Sequence, residues 1–203
     1  MKSEILEQLR EQTRPAHLEL ENQALLKRLL SPEQTRAEYG QLLQAMLAFY
    51  QSLEKELVPA AEALLDRYPD AEYRYLPRAP LLTKDCRSLG ELTTAPDIGS
   101  SEISLDGSDT RLLGILYVIE GSAQGGRIIS RHLEKTLDIN MHNGATFFAI
   151  PLQNKSWTAF RRWSGANFAY TCRNDVASII EGAQMMFSAL RSHLDQWRAA
   201  DGE

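Results

Sequence analysis

Apolar residues recur along this chain at helical spacing, three to four positions apart, almost from end to end. In "SEILEQLREQTRPAHLELENQALLKRLL", the positions Leu6, Leu9, Thr13, His17 and Leu20 fall on one helical stripe. Pro15 interrupts that stripe. It lacks an N–H and crowds the preceding turn, so a kink or a restart of the helix is expected there. Ser31 as N-cap, Pro32 at the first helical position and Gln34 closing a capping box predict the next helix start. Tyr39, Leu42, Leu43, Met46, Phe49, Leu53 and Leu57 then repeat, and Pro59 is expected to end this helix or open a short one over 59–68. Residues 69–80 contain Pro69, Pro77 and Pro80 and read as a loop. "LLTKDCRSLGEL" reads as a short helix with Gly90 near its end. Residues 93–108 are turn formers. A long apolar helix is predicted from Asp109 to about Thr136, a turn over "INMHNGATFF", and two more helices over about 155–171 and 174–198. No strand alternation, repeat or low-complexity tract interrupts this pattern. The predicted class is all-α, a single domain over residues 1–203 folded as an irregular bundle of seven or eight helices.

Composition narrows the function classes. An apolar fraction of 43% and a charged fraction of 24% are those of a soluble globular protein. The net charge is −5 with scattered basic residues, which argues against a nucleic-acid partner. No apolar run approaches the roughly 20 residues of a membrane span, and the charged, amphipathic first residues carry no signal core. Two distant cysteines, Cys86 and Cys172, fit a reducing, cytoplasmic setting better than a disulfide scaffold.

The familiar catalytic signatures do not occur. There is no phosphate-binding glycine loop, no nucleophile elbow, no H-E-x-x-H and no cysteine pairs for zinc. None of the four histidines follows a glutamate by three positions, which disfavours a carboxylate di-metal bundle. Two features stand out instead. His17 lies on the apolar stripe of the first helix, where a lone histidine is most often a satisfied structural residue. A neutral imidazole facing an apolar cavity is also what an axial haem ligand requires. Arg10 and Arg14 lie on its flank one and two turns earlier, where anionic propionates would fit and where an ordinary solvated flank fits equally. The second feature is "YVIEGSAQGGRII". Each glycine inside a helix costs roughly 1 kcal/mol relative to alanine, yet Gly114, Gly121 and Gly125 share one face and Gly126 adds another. Close helix packing and a smooth face for a flat ligand both account for them.

"LREQTRPAH" followed by "YVIEGSAQGGRII" resembles the biliverdin-producing haem oxygenase family, in particular its bacterial branch, which includes phytochrome-associated members. "YGQLLQAMLAFYQSLEKEL" looks like that family's second helix, "LLTKDCRSLG" like its short D-L-x-x-L-G segment and "SWTAF" like the start of its penultimate helix, so the likeness covers nearly the whole chain. The resemblance implies an enzyme that uses oxygen and reductant to cleave haem at a meso carbon, giving biliverdin, carbon monoxide and ferrous iron. It implies His17 as proximal iron ligand and Gly121, Gly125 and Gly126 as distal-helix positions over the haem. It further implies Arg10, assisted by Arg14, and Arg161 or Arg162 as propionate contacts. Ser122 stands where animal members carry the aspartate that organises distal water. Haem is then substrate and cofactor together. Electrons come from an external ferredoxin or flavoprotein reductase, since no flavin or nicotinamide motif is present, and a bacteriophytochrome is a candidate acceptor of the bilin. A haem-storage protein without turnover, and a helical protein of thiaminase-like topology that binds no haem, remain the alternatives. Glu120 is expected to pair with a base. His132, His142 and His193 are expected to be structural or solvated, and Trp157, Trp163 and Trp197 to be core or boundary residues.

Overall fold

Thr35 and Glu38, two positions the capping argument above passes over, fix the start of the longest helix. The Thr35 hydroxyl accepts from the Glu38 amide at 3.2 Å, and Glu38 Oε2 accepts from the Thr35 amide at 2.8 Å. This reciprocal box outcompetes the one expected at Ser31, whose hydroxyl instead accepts from the Glu33 amide in a turn. In the computed structural model, which describes residues 4–90, 103, 105–168 and 172–201, the chain forms eight helices among the described residues and no strand. They are α1 (Glu4–Glu21), α2 (Ala24–Arg28), α3 (Arg36–Arg67), α4 (Ala79–Leu89), α5 (Asp109–Leu137), α6 (Thr146–Gln153), α7 (Ser156–Asn167) and α8 (Arg173–Asp201).

Neither Pro15 nor Pro59 breaks its helix. α1 and α3 run through them, and both prolines lie on exposed faces where water can take the carbonyl left without an N–H. Gly90 ends α4 in the left-handed conformation at φ 76°. Most of the turn-rich stretch expected over 93–108, and the tail of the helix expected to reach 171, lie outside the described residues.

α5 is the central helix. It packs against α8, α7, α6 and α3, and contributes Leu113, Ile115, Leu116 and Ile119 to the core. α1 rests on α8 and α2 alone, and among the described residues no α1 Cα comes within 8 Å of one in α5. α1 and α5 are therefore not packed backbone against backbone among the described residues.

α6 begins in the last three residues of the stretch expected to be a turn and runs on past it. No side chain of its own caps it. Its cap comes from α4, where buried Asp85 accepts from the Thr146 amide at 2.8 Å and the Phe147 amide at 2.7 Å. Burial pushes the Asp85 carboxyl above its usual range, while these two amides pull it down. Replacing Asp85 by alanine strands both amides and is expected to destabilise the protein by about 2–3 kcal/mol. Urea unfolding should show a lower midpoint at unchanged slope.

Candidate functional site

The glycines of α5 divide into two kinds. A Cβ on Gly114 would overlap the carbonyl of Ile179 on α8, and one on Gly182 of α8 would overlap the carbonyl of Arg111, so these two glycines let α5 and α8 cross backbone to backbone. A Cβ on Gly126 would overlap the Phe148 carbonyl of α6. Gly126 is buried and turned about 140° from Gly121 on the helix, away from the face on which it was expected. Gly121 and Gly125 differ. A Cβ on Gly121 would meet only the Trp157 ring at 3.7 Å, and one on Gly125 only the Ile129 side chain of its own helix at 3.8 Å. Packing within the protein does not require glycine at either position.

The face bearing Gly121 and Gly125 begins at Tyr117 and ends at His132, roughly 22 Å along the axis at 1.5 Å per residue. At its first end the Tyr117 phenol meets the Thr13 hydroxyl and lies near the Arg10 guanidinium of α1. Burial raises its pKa, and those two groups oppose the rise. At its far end His132 Nε2 lies 3.0 Å from the Ser31 carbonyl beyond α2. Between these two points of closure stand the glycines and Ile128, which is 65% exposed. This face is the candidate slot, with α5 on one side and α1–α2 on the other.

His17 lies on α1, one turn beyond Thr13. It does not face a closed apolar cavity as expected. Its side chain is 55% exposed and rests edge-on against Phe187 of α8, with ring centroids 5.6 Å apart. Its Nδ1 lies 3.5 Å from Glu21 Oε1. Its Nε2 has no hydrogen-bond partner among the described residues. A carboxylate at Nδ1 favours the tautomer that leaves Nε2 with its lone pair, the arrangement a metal-ligating histidine needs. Arg10 and Arg14 are exposed and form no ion pair among the described residues.

Arg162 stands apart from this group. It pairs with Asp70 and Glu72 of the loop after α3. Asp70 is held below its usual range, chiefly by the Tyr73 and Glu72 amides it accepts from, and also by Arg162. Arg161 is exposed and unpaired among the described residues. It follows Trp157 by one turn, on the flank of α7 that meets Gly121. Ser122 is exposed, and its hydroxyl donates back to the Ile119 carbonyl at 2.7 Å.

Tyr117, Glu21 and Trp157 join the site without having been singled out for it in the sequence. Two of them carried a signal there: Tyr117 precedes Gly121 by one turn on its own face, and Glu21 follows His17 by four. The remaining polar residues behave as expected. Glu120 is buried against Arg78, with Oε2 to Nη2 at 2.8 Å. His193 is buried, its Nε2 lies 2.9 Å from the Ala45 carbonyl, and burial lowers its pKa. His142 is exposed in a turn.

Comparisons with known proteins bear on this site. Residues 3–91 match the family model described as Heme oxygenase. A heme oxygenase of Xanthomonas campestris is 33% identical over 118 residues. The match takes in 57% of this chain and 66% of that relative, just short of two thirds of its length. The NO- and CO-bound heme oxygenase of Neisseria meningitidis has the same fold, with a TM-score of 0.75 at 23% identity over 96% of this chain and 92% of that one. The heme oxygenase of Leptospira interrogans gives 0.72 at 20% identity, over 97% and 100% of the two chains. The heme complex of heme oxygenase-1 from the cyanobacterium Synechocystis gives 0.64 at 18% identity, over 98% and 96%. A matching family segment, a related sequence and a shared fold thus make the chain similar to haem oxygenases over most of its length.

Proposed function

We propose that this chain is a haem oxygenase that holds haem in the slot between α1 and α5 and opens the macrocycle to biliverdin. The observation that carries this reading is the division among the glycines: α5 bears two that its own fold does not need, on the face it turns toward α1. A flat apolar group seated there would meet backbone on the α5 side and the free His17 Nε2 on the α1 side. Exposed Ile128 would border the ring. Arg10, Arg14 and Tyr117 would take one propionate, and Arg161 the other.

Bound haem would supply the iron that receives oxygen and would itself be the substrate, yielding biliverdin, carbon monoxide and ferrous iron. The protein's own part is placement. His17 would hold the iron through Nε2, with Glu21 orienting the imidazole. Gly121 and Gly125 would leave the space over a bound haem free of their own side chains and would place no acid or base there to favour peroxidase-type chemistry. Electrons come from an external ferredoxin or flavoprotein reductase, and a bacteriophytochrome suits the bilin as acceptor. No described helix is long and apolar enough to cross a membrane. Cys86 and Cys172 form no disulfide, which fits a cytoplasmic setting.

The test is optical. Hemin is added to the purified protein, then ascorbate or a ferredoxin system in air. A Soret band should form and then fall as a broad red bilin band grows. A Soret band that survives reductant and oxygen would mark a storage protein, and its absence would remove haem from the account. In His17→Ala the Soret band should shift and bilin formation should fall by roughly 100-fold or more, while Glu21→Gln, one step removed from the metal, should lose about 10-fold. Equal rates in wild type and His17→Ala would exclude the histidine as ligand.

A further inference from the structure

We propose that a file of aromatic rings leading away from Gly121 carries oxidising equivalents from the haem slot to the protein surface at Tyr68. This rests on the haem reading above. Trp157, half-buried, lies against Gly121 and stacks on Phe160 at 5.8 Å between centroids. Phe160 touches Tyr73 at 5.4 Å and Trp163 at 5.9 Å, and Tyr73 and Trp163 lie 4.9 Å apart. Trp163 reaches Tyr68 in two ways. Its indole N–H donates to the Tyr68 carbonyl at 2.8 Å, and Phe168 stands between the rings at 5.7 and 4.8 Å. The middle of the file is sealed: Phe160 and Trp163 are 0% exposed and Tyr73 is 1% exposed. Only its ends, Trp157 at the slot and Tyr68 at the end of α3, reach toward solvent.

Ring packing alone would account for the contacts. Two features go beyond packing. The members that can give up an electron, Trp157, Tyr73, Trp163 and Tyr68, succeed one another from slot to surface, with single Phe160 and Phe168 rings between the first and the middle pair and between Trp163 and Tyr68. Tyr73 also holds its hydroxyl 3.4 Å from Glu120 Oε1, a carboxylate placed to take the phenol proton as the electron leaves and to return it afterwards.

The oxidant is hydrogen peroxide, a by-product of any site that reduces oxygen. Converting it to two waters takes two electrons and two protons. When the site reacts with peroxide in place of opening the ring, each missing electron is drawn from Trp157 and refilled in turn from Tyr73 and Trp163, then from Tyr68. Tyr68 releases its proton to water and is left a neutral radical. A hydrogen atom from ascorbate restores the phenol. Two passages consume two hydrogen atoms per peroxide, so electrons and protons balance and the slot is spared oxidation.

The experiment treats the haem-loaded protein with peroxide and a nitroso spin trap, with no turnover reductant, and locates the adduct by peptide mass spectrometry beside the radical signal in EPR. The adduct is expected on Tyr68. In Tyr68→Phe, which removes only a hydroxyl, that adduct should be lost while the EPR signal persists on buried Tyr73 or Trp163. In Trp157→Phe both should be lost, and in Trp197→Phe, away from the file, both should remain. An unchanged Tyr68 adduct in Trp157→Phe, or an adduct confined to other residues, overturns the proposal. A protein that forms no Soret band fails earlier, at haem binding, so the two failures are separable.

Discussion

Gly121→Ala and Gly125→Ala should make the protein more stable and the proposed haem turnover weaker, whereas Gly114→Ala should make it less stable. The first half follows from the open space above both residues, where a methyl group meets nothing closer than 3.7 Å. Alanine then gains its helix propensity, up to about 1 kcal/mol per site. The methyl groups project into the slot, lift a flat ligand from the helix and move its reactive edge. Misplacement on that scale costs up to ~100-fold in rate. The second half follows from the crossing of α5 and α8. A methyl at 114 collides with the Ile179 carbonyl, which is backbone and cannot swing aside. The helices must part, at a cost of about 3 kcal/mol, the upper end of overpacking penalties. Urea unfolding of the haem-free variants reads the stability, and hemin titration with bilin formation reads the site. If alanine at 121 destabilises as much as alanine at 114, then protein, not ligand, covers that face and the slot is misassigned.

Periodicity made the helices legible because each buries a stripe against neighbours. What escaped it was decided in three dimensions. α6 is short and draws its N-terminal cap from Asp85, sixty-one positions earlier, so nothing local announces it. Pro15 and Pro59 looked like helix ends, but exposure of those turns made the missing hydrogen bonds cheap. His17 and the open glycines were visible in the chain because their residue types are costly or unusual where they stand. Which glycine served packing was not visible. Gly114 lies within about 40° of Gly121 and Gly125 on the helix and differs only in where α8 crosses. Arg161 and Arg162 likewise differ by one position, and the loop carboxylates of Asp70 and Glu72 claim the second.

Glu120→Ala should lose more stability than Asp85→Ala or Gly114→Ala. Glu120 is 0% exposed and lies immediately before Gly121 on α5, facing the core. Its Oε2 takes Arg78 Nη2 at 2.8 Å, and its Oε1 faces the Tyr73 hydroxyl. The Arg78 side chain is 2% exposed and its Nη1 already lacks a partner. Without Glu120 a guanidinium is buried with no counter-charge, and stranding one member of such a pair costs about 3–5 kcal/mol. The converse argument supplies the control. A buried ion pair is seldom worth more than well-packed apolar groups of its own volume, because both charges lost their water on folding. Glu120→Met combined with Arg78→Met should therefore recover most of what Glu120→Ala loses. Chemical denaturation of the three proteins decides the matter. Recovery in the double variant assigns the loss to stranded charge. A double variant as unstable as the single one would mean instead that the Arg78 backbone contacts, where Glu54 takes its amide and that of Ala79, depend on the guanidinium staying in place.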